Sequence, residues 1–358
     1  MTHDFSKVEE FIDRIVDEQQ VNGAGIAIAV KGEPVFERFA GEAAPGTPAT
    51  GETLWPLASI SKSFTASAVM SLIEEGRLGM WSRPNAIFPE FQGDGREEIT
   101  LRHLLTHTSG LPMGPANIAE LEEAGASAEE LIAHAYTDPL LFPPGTGQSY
   151  SDTGYGLAGL MAARVAGVSF PELIRTRVLE PAGLTGAGLC IPDALMPRVA
   201  QVAGPDGEAI DWGARTGHPS YGVAATLSSV LRFLLHFDPN TELRLHSRAG
   251  VRAMSTDQTA VFRSDAVDFP IGKWGAGFQL QTGWGDTGLG AIDSFGHMGG
   301  TGCVGWISPA DAVSVAFVSN RYWSGDPASR ERREAAVNLA IAAATAPVAG
   351  GRRVGFGR

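Results

Sequence analysis

Ser59 and Lys62 stand three residues apart at the start of an apolar run, which places a hydroxyl and an amine one helical turn from each other. The apolar residues that follow repeat at helical spacing, and the run ends at Gly76. If Ser59 caps this helix, the two side chains lie on one face with Cβ atoms roughly 5–6 Å apart. This spacing favours a serine nucleophile whose general base is a lysine rather than a histidine.

Lys62 can act as a base only if its pKa lies well below the ordinary lysine value. Burial and the positive end of the helix dipole both disfavour an ammonium at this position. Lowering the pKa from about 10.4 to near 7 corresponds to roughly 4–5 kcal/mol of differential stabilisation. Most cations of this chain are arginines, which cannot be deprotonated at working pH. The alternative is that Ser-x-x-Lys, a short pattern, occurs here by chance.

A phenol and a carboxylate follow in Tyr150-Ser151-Asp152, between a turn-rich stretch and a helix predicted to begin near Gly154. Loops that precede helices often carry catalytic groups. The ordinary pKa of a tyrosine is about 10, and a nearby ammonium would lower it and make Tyr150 a candidate base. The alternative is structural: Asp152 caps the helix, and Tyr150 packs with its hydroxyl bonded to the backbone.

A third segment, Gly296-His297-Met298-Gly299-Gly300, follows a strand-like pattern. A glycine-rich strand edge lets a substrate lie against the backbone, whose N–H groups can point at a developing oxyanion. The alternative is a histidine that packs in the sheet beside flexible glycines.

The pattern of apolar residues predicts the elements that must position these groups. Two apolar runs at 23–30 and 34–40 predict a β-hairpin. Helices are predicted at 62–75, 101–105, 119–136, 155–166, 171–179, 226–237 and 330–344. Strands are predicted at 277–281, 294–298, 303–307 and 313–319.

Strands at both ends of the chain, with helices between them, indicate an α/β (α+β) protein whose single mixed sheet combines N- and C-terminal parts. We expect a discontinuous sheet domain from residues 1–80 and 220–358, and a mostly helical domain from 81–219. Ser59 and His297 would belong to the first and Tyr150 to the second, so the active site is expected between them.

Composition narrows the class of protein. The 358 residues carry a net charge of −13, which argues against nucleic acid and anionic membranes as partners. No apolar run is long enough to span a bilayer. The first 20 residues form an amphipathic helical pattern rather than a signal peptide, so we expect a cytoplasmic protein. Cys190 and Cys303 are too few for a disulfide framework or a zinc site, and both are expected to be free thiols.

The three segments, in this order, resemble the serine β-lactamase-fold hydrolases. The resemblance is closest to the class C β-lactamase-like branch, which includes family VIII carboxylesterases, penicillin-binding-protein-like D-amino-acid peptidases and amide hydrolases. Further segments at 104–112, 142–145 and 224–226 are similar to the same family, and the resemblance spans roughly residues 20 to 340. It implies a β-lactamase/transpeptidase-like fold, with a mixed antiparallel sheet flanked by helices.

The resemblance also implies roles for the site residues. Ser59 would be the acylated nucleophile, and Lys62 and Tyr150 would share the general-base and general-acid work. The backbone N–H groups of Ser59 and Gly300 would form the oxyanion hole, with Gly299 beside them. No metal or organic cofactor is implied.

Two departures from the family pattern matter. The second motif usually ends in Asn, whereas here it ends in Asp152, which would hold Lys62 protonated and shift the base role towards a Tyr150 phenolate. The third motif of β-lactamases and penicillin-binding proteins is Lys-Thr-Gly, whereas here it is His297-Met298-Gly299. A titratable imidazole replaces a fixed positive charge, which favours an uncharged ester or amide over a carboxylate-bearing antibiotic.

The remaining histidine and aromatic candidates are expected to have mainly structural roles. His103 and His107 have the spacing of a metal pair, but no Glu follows His103, and they are expected to cap and pack the loop. Aromatic residues are expected to pack in the core or on the surface, with one or two facing the site. The candidates are Trp274, Trp284, Trp306, Tyr221 and Trp323.

The main hypothesis is a serine hydrolase that cleaves esters of small, largely uncharged molecules through an acyl-enzyme on Ser59. Amidase, D-aminopeptidase or β-lactamase-type activity is the alternative, because Tyr150 or His297 could protonate a leaving nitrogen. Acyl transfer to another acceptor is also open. A hypothesis of another class is a catalytically silent binding module of the same fold. Neither the oligomeric state nor the natural substrate follows from the sequence.

Overall fold

The computed structural model describes residues 3–204, 206–210, 214–259, 272–281, 287–323 and 327–347, apart from the side chains of Ala119 and Glu122. In these parts of the chain the strands, in sequence order, are β1 (Gly23–Val30), β2 (Glu33–Ala44), β3 (Thr47–Pro48), β4 (Trp55–Pro56), β5 (Ala187–Gly188), β6 (Val202–Ala203), β7 (Ala209–Ile210), β8 (Ala224–Ala225), β9 (Gln279–Leu280), β10 (Phe295–Met298), β11 (Val304–Ser308) and β12 (Val313–Ser319).

Seven strands form one antiparallel sheet in the order β3-β2-β1-β12-β11-β10-β9. The predicted hairpin is confirmed as β1 and β2, and β1 pairs with β12 so that Ile26 lies opposite Phe317. The sheet therefore joins the two ends of the chain, as the sequence predicts. Two short sheets, β4-β8-β5 and β6-β7, lie outside it.

The helices of the same parts of the chain are α1 (Ser6–Asp17), α2 (Ser61–Glu74), α3 (Leu101–Leu105), α4 (Ile118–Glu123), α5 (Ala128–Ala133), α6 (Asp152–Ala166), α7 (Phe170–Ile174), α8 (Glu180–Ala182), α9 (Leu227–Leu235), α10 (Arg248–Ser255) and α11 (Pro327–Thr345). Short 3₁₀ turns occur at Ala58–Ile60, Pro84–Ala86, Arg96–Glu98, His134–Tyr136 and Asp193–Arg198.

Each face of the sheet packs against its own group of helices. Alternation along β1 sends Ile26 and Ile28 into one core with α1 and α11. Ala27 and Ala29 point to the opposite face, where the second core contains residues of α2, α6 and α9. The small alanines let α9 lie close to the sheet, since β1 and β12 both contact it.

Helix α2 lies inside the protein, and its polar residues are satisfied by loops that pack around it. Ser63 Oγ donates to the carbonyl of Gly277 at 2.9 Å, and Thr65 Oγ1 donates to that of Pro219 at 2.6 Å. Every side chain of the helix from Ser61 to Met70 is buried. A helix held on all sides gives the residues at its first turn fixed positions.

Several predicted elements differ in the structure. The single helix predicted at 119–136 is wrong, because the chain turns at Gly125 (φ +77°) and α5 begins anew after the Ser127 capping box. The helix predicted at 171–179 is α-helical only to Ile174 and continues as a π-helical turn, Arg175–Leu179. Helix α10 was not predicted. The domain boundaries at residues 80 and 219 stay a prediction.

Both cysteines are free thiols, as predicted, with Cys190 exposed and Cys303 buried. Within the described ranges, no single helix is long and apolar enough to cross a bilayer. Helix α6 and the run Phe170–Ala182, bent by 80° at their junction, would pass that test together by length and composition.

Candidate active site

Ser59 lies in a tight turn directly before α2. The turn is the 3₁₀ segment Ala58–Ile60, and Ile60 rather than Ser59 occupies the N-cap position of α2. Ala58 has a φ of +46°, a left-handed conformation that costs a residue with a side chain about 1–2 kcal/mol. Ala58 and Ile60 are buried, whereas Ser59 is partly exposed, so the turn presents this hydroxyl.

Lys62 is fully buried, and its ammonium has three hydrogen-bond acceptors. Its Nζ donates to Ser59 Oγ at 3.0 Å and to the carbonyl oxygen of Ser220 at 3.3 Å. A third, short contact joins Nζ to Oδ1 of Asp152. The structure thus brings Ser59 and Lys62 together, as the spacing indicates, and adds Asp152 from the first turn of α6.

Opposing influences act on the charge of Lys62. Burial lowers its pKa below the ordinary value, and the Asp152 carboxylate acts in the opposite direction by stabilising the ammonium. The net direction is downward, in agreement with the expectation from burial. Lys62 is therefore closer to the neutral form that a general base requires than an exposed lysine would be.

Tyr150 lies beside this pair, on the loop that leads into α6. The Lys62 Nζ is 4.6 Å from the centre of the Tyr150 ring, so the ammonium faces the π system. Burial and the charge of Asp152 raise the Tyr150 pKa well above its ordinary value of 10, with the Ser59 side chain acting in the opposite direction. The predicted lowering of this pKa, and with it the phenolate base, is wrong for this arrangement. Tyr150 keeps its proton at neutral pH.

Ser151, rather than Asp152, caps α6 by accepting the N–H of Gly154 at 2.8 Å, so the structural alternative in which Asp152 caps the helix is excluded. Asp152 follows in the first turn, where a negative charge is favoured by the helix dipole. Its carboxylate is free to contact Lys62, and the side chain is 19% exposed.

His107 packs against the loop that leads into α6, as expected from the sequence. Its Nδ1 accepts the backbone N–H of Ser151 at 3.0 Å, and its ring stacks on Tyr150 at 4.4 Å. Burial and the nearby Lys62 hold its pKa well below the ordinary value, so the ring is neutral. His103 takes part in the capping box of α3, as expected. Among the described residues there is no cluster of His, Cys, Asp or Glu that could hold a metal ion.

A second loop that supports Lys62 and Asp152 is His218-Pro219-Ser220, which the sequence analysis did not predict. Besides the Ser220 carbonyl on Lys62, Ser220 Oγ donates to the backbone carbonyl of Asp152 at 2.6 Å. His218 accepts the N–H of Ser220 at 3.1 Å through Nδ1, and burial lowers its pKa to about 3. The loop acts mainly through backbone atoms, which leave no recognisable pattern in a sequence.

His297 lies on β10 and is a neutral residue here. Its Nδ1 donates to the carbonyl of Met298 at 2.7 Å, which leaves Nε2 as an acceptor that no described residue engages. Burial and the nearby Lys62 lower its pKa to about 3. The expectation that His297 titrates near neutral pH is therefore wrong. A neutral His297 cannot supply a proton to a leaving nitrogen.

Gly299 and Gly300 follow β10 next to the Ser59 turn. A Cβ at Gly299 would lie 2.3 Å from the carbonyl oxygen of Leu57, so only glycine permits this approach. The Gly299 N–H donates to the Cys303 carbonyl at 2.8 Å, which removes it as an oxyanion donor. The N–H groups of Ser59 and Gly300 donate to no acceptor among the described residues, as an oxyanion hole requires.

One of the aromatic candidates shapes the site. Trp274 is buried, and its ring lies edge-on to His107 at 4.7 Å and to His297 at 5.4 Å. Tyr221 stacks on His218 at 4.2 Å, and Trp306 packs in the core on the other face of the sheet. Trp323 lies near α11, with its ring 6.0 Å from the guanidinium carbon of Arg333. Trp284 falls outside the described residues.

Comparison with known proteins finds similarity to β-lactamases and penicillin-binding proteins. A family model described as Beta-lactamase matches residues 8–339. Penicillin-binding protein 4 of Amycolatopsis lactamdurans is 27% identical over 345 residues, which cover 89% of this chain and 86% of that protein. A β-lactamase of Escherichia coli (strain K12) is 27% identical over 240 residues, covering 63% of this chain and 59% of that protein.

An esterase, EstB of Burkholderia gladioli, is 28% identical over 200 residues, which cover 51% of each protein. Among solved structures, a penicillin-binding protein homolog from Caulobacter crescentus superposes with a TM-score of 0.76 at 26% identity. The superposition covers 94% of this chain and 97% of that one. The names of these relatives indicate different activities.

Proposed function

The chain belongs to the beta-lactamase family, and from this premise we propose that it is a serine hydrolase that cleaves esters of small, largely uncharged molecules through an acyl-enzyme on Ser59. The observation that carries the proposal is the 3.0 Å contact between Ser59 Oγ and the buried Lys62 Nζ. This contact supplies a nucleophile and the group that removes its proton.

The first half-reaction starts from neutral Lys62. Ser59 Oγ attacks the ester carbonyl while its proton passes to Nζ, and the carbonyl oxygen becomes an oxyanion bound by the N–H groups of Ser59 and Gly300. The lowered pKa of Lys62 makes the neutral form accessible, and Asp152 stabilises the ammonium that results. Collapse of the tetrahedral intermediate expels the alcohol, and water then releases the acid by the reverse sequence of proton transfers.

Tyr150 supports the departure of the leaving group. Because its pKa is raised, Tyr150 holds a proton at neutral pH and can donate it to a departing alkoxide. The Lys62 ammonium, which carries the Ser59 proton, then reprotonates the Tyr150 phenolate and returns to the neutral amine that the second half-reaction requires. The Tyr150 proton could also serve a departing amine, and this observation makes amide cleavage the second candidate. His297, with a pKa of about 3, does not share this role.

His297 is the residue that bears on substrate preference. The position where many family members carry the lysine of Lys-Thr-Gly holds a neutral imidazole here, which offers a carboxylate no fixed charge. Its Nε2 is buried and has no hydrogen-bond partner among the described residues. The buried Trp274 adds an apolar wall. An uncharged acyl group fits these surroundings better than an anionic one.

The test is a panel of p-nitrophenyl esters of increasing acyl length, p-nitroanilides and a chromogenic cephalosporin, with the Ser59→Ala variant in parallel. Ester turnover that is lost in Ser59→Ala supports the proposal. Comparable turnover of anilides or of the cephalosporin would assign the protein to the amidases or lactamases instead. Failure of a fluorophosphonate to form an adduct at Ser59 in folded protein would favour the silent binding module.

A further inference from the structure

Arg333, on α11, is a buried cation close to the candidate oxyanion hole. Only 5% of the residue is exposed, and no described carboxylate lies within ion-pair distance of its guanidinium. Its Nη1 donates to the carbonyl oxygen of Gly299 at 3.0 Å. The guanidinium also lies 6.0 Å from the centre of the Trp323 ring. Burying a guanidinium costs free energy, and among the described residues the hydrogen bond to the Gly299 carbonyl offsets part of this cost.

The Gly299 carbonyl and the Gly300 N–H belong to the same peptide unit. In a planar trans peptide these two groups point in opposite directions. A donor that holds the Gly299 oxygen therefore fixes the direction of the Gly300 N–H. The N–H of Gly302 also donates to the Gly299 oxygen, at 3.0 Å, so both lone pairs of that oxygen are engaged.

Further contacts fix this peptide next to the nucleophile. Thr301 Oγ1 donates to the carbonyl of Pro56 at 2.6 Å, and the backbone of Gly299 lies against that of Leu57. Both Pro56 and Leu57 lead directly into the Ser59 turn. The Trp323 N–H donates to the Gly300 carbonyl at 2.6 Å and fixes the following peptide as well.

We propose that Arg333 is a positioning residue that orients and polarises the Gly299–Gly300 peptide, so that the Gly300 N–H becomes a stronger donor to the oxyanion formed at Ser59. A cation on the carbonyl oxygen withdraws electron density from the peptide, and a hydrogen bond at one end strengthens donation at the other. The inference rests on the proposed serine-hydrolase function. It concerns a residue outside the three sequence motifs.

The test compares wild type with Arg333→Met and Arg333→Lys, using the p-nitrophenyl ester that wild type cleaves fastest. Arg333→Met should lower kcat by about tenfold to a hundredfold with little change in KM, since a weakened oxyanion donor acts only in the transition state. An aryl boronic acid, which forms a tetrahedral adduct with Ser59, should lose affinity by the same factor. Arg333→Lys retains a cationic donor and should recover most of the loss.

A spectroscopic measurement separates this role from a structural one. The infrared stretch of the acyl-enzyme carbonyl should move to higher frequency in Arg333→Met, because a weaker oxyanion hole polarises the bond less. Arg175→Met, which removes an exposed arginine paired with Glu172 and Glu180, is the control and should leave this frequency unchanged. If Arg333→Met does not fold, Arg333→Gln, which keeps a donor for the Gly299 carbonyl but removes the positive charge, takes its place. A frequency and a kcat equal to those of wild type in that variant overturn the proposal.

The outcomes distinguish the two levels of inference. Wild type that forms no Ser59 adduct refutes the serine-hydrolase function and the role of Arg333 together. Active wild type with an equally active Arg333→Met refutes only the role of Arg333. A loss in which KM rises and kcat is unchanged would also refute it, because that pattern indicates lost ground-state binding.

Discussion

The Lys62 ammonium and the Asp152 carboxylate contact each other directly across 90 residues of sequence, where α2 packs against α6. Burial lowers the pKa of Lys62, and this carboxylate acts against that decrease. The pair therefore sets the fraction of Lys62 that is neutral at a given pH. The pH dependence of catalysis should report this balance directly.

Asp152→Asn should shift the acid limb of the kcat/KM profile to lower pH. The substitution removes the charge that stabilises the ammonium, so the pKa of Lys62 falls further. An amide oxygen still accepts the Nζ hydrogen bond, so the geometry is conserved. Values of kcat/KM measured from about pH 5 to about pH 10 define the position of the acid limb. A limb that does not move, or moves to higher pH, would show that Lys62 is not the titrating base.

Lys62→Arg should reduce kcat/KM by about 10²–10⁴-fold, the usual contribution of general acid–base catalysis. The positive charge beside Asp152 remains, but a guanidinium cannot be deprotonated to accept the Ser59 proton. Ester turnover and the melting temperature are measured on the same preparation. Near-normal rates would mean that Lys62 serves only as a fixed charge. A loss accompanied by a large fall in melting temperature would require Lys62→Gln as a second variant.

Tyr150→Phe should discriminate between leaving groups. The substitution removes only the hydroxyl and keeps the ring that stacks on His107. Departure of p-nitrophenolate needs no proton, so that ester should be affected little. An unactivated alkyl ester or an anilide should lose about 10²–10⁴-fold in kcat. Equal losses for both kinds of leaving group would refute the assignment of Tyr150 as the proton donor.

His218→Gln should weaken the pH dependence of folding stability. His218 has a pKa of about 3 in the folded protein, whereas the unfolded value is about 6.5. The unfolded chain therefore binds a proton that the native state does not, and stability falls as the pH falls below about 6.5. One such group contributes about 1.4 kcal/mol of unfolding free energy per pH unit in this window. Urea unfolding of both proteins at about pH 6, 5 and 4 measures the slopes; identical slopes would contradict the buried neutral state.

Contacts between residues that are close in sequence can be predicted from the sequence. Ser59 and Lys62 are neighbours because residues three apart share one face of a turn, whatever the rest of the chain does. The hairpin of β1 and β2 and the strand β12 follow from short-range apolar patterns in the same way. The resemblance to the β-lactamase family also follows from the order of the three motifs, and the family match over residues 8–339 confirms it.

The groups whose charge state the sequence does not predict are those whose surroundings come from distant segments. The Tyr150 pKa was expected to fall beside an ammonium, yet burial among other side chains raises it. His297 was expected to titrate, yet burial lowers its pKa and keeps it neutral. Neither the Ser220 carbonyl on Lys62 nor the Arg333 donor to Gly299 has a sequence signature.

The sequence by itself determined which residues stand one turn or one strand apart, because backbone geometry fixes such distances over a few residues. The tertiary structure alone decided the charge states of Lys62, Tyr150 and His297. Desolvation depends on which remote segments cover a group, and Coulomb interactions depend on separations that only packing sets.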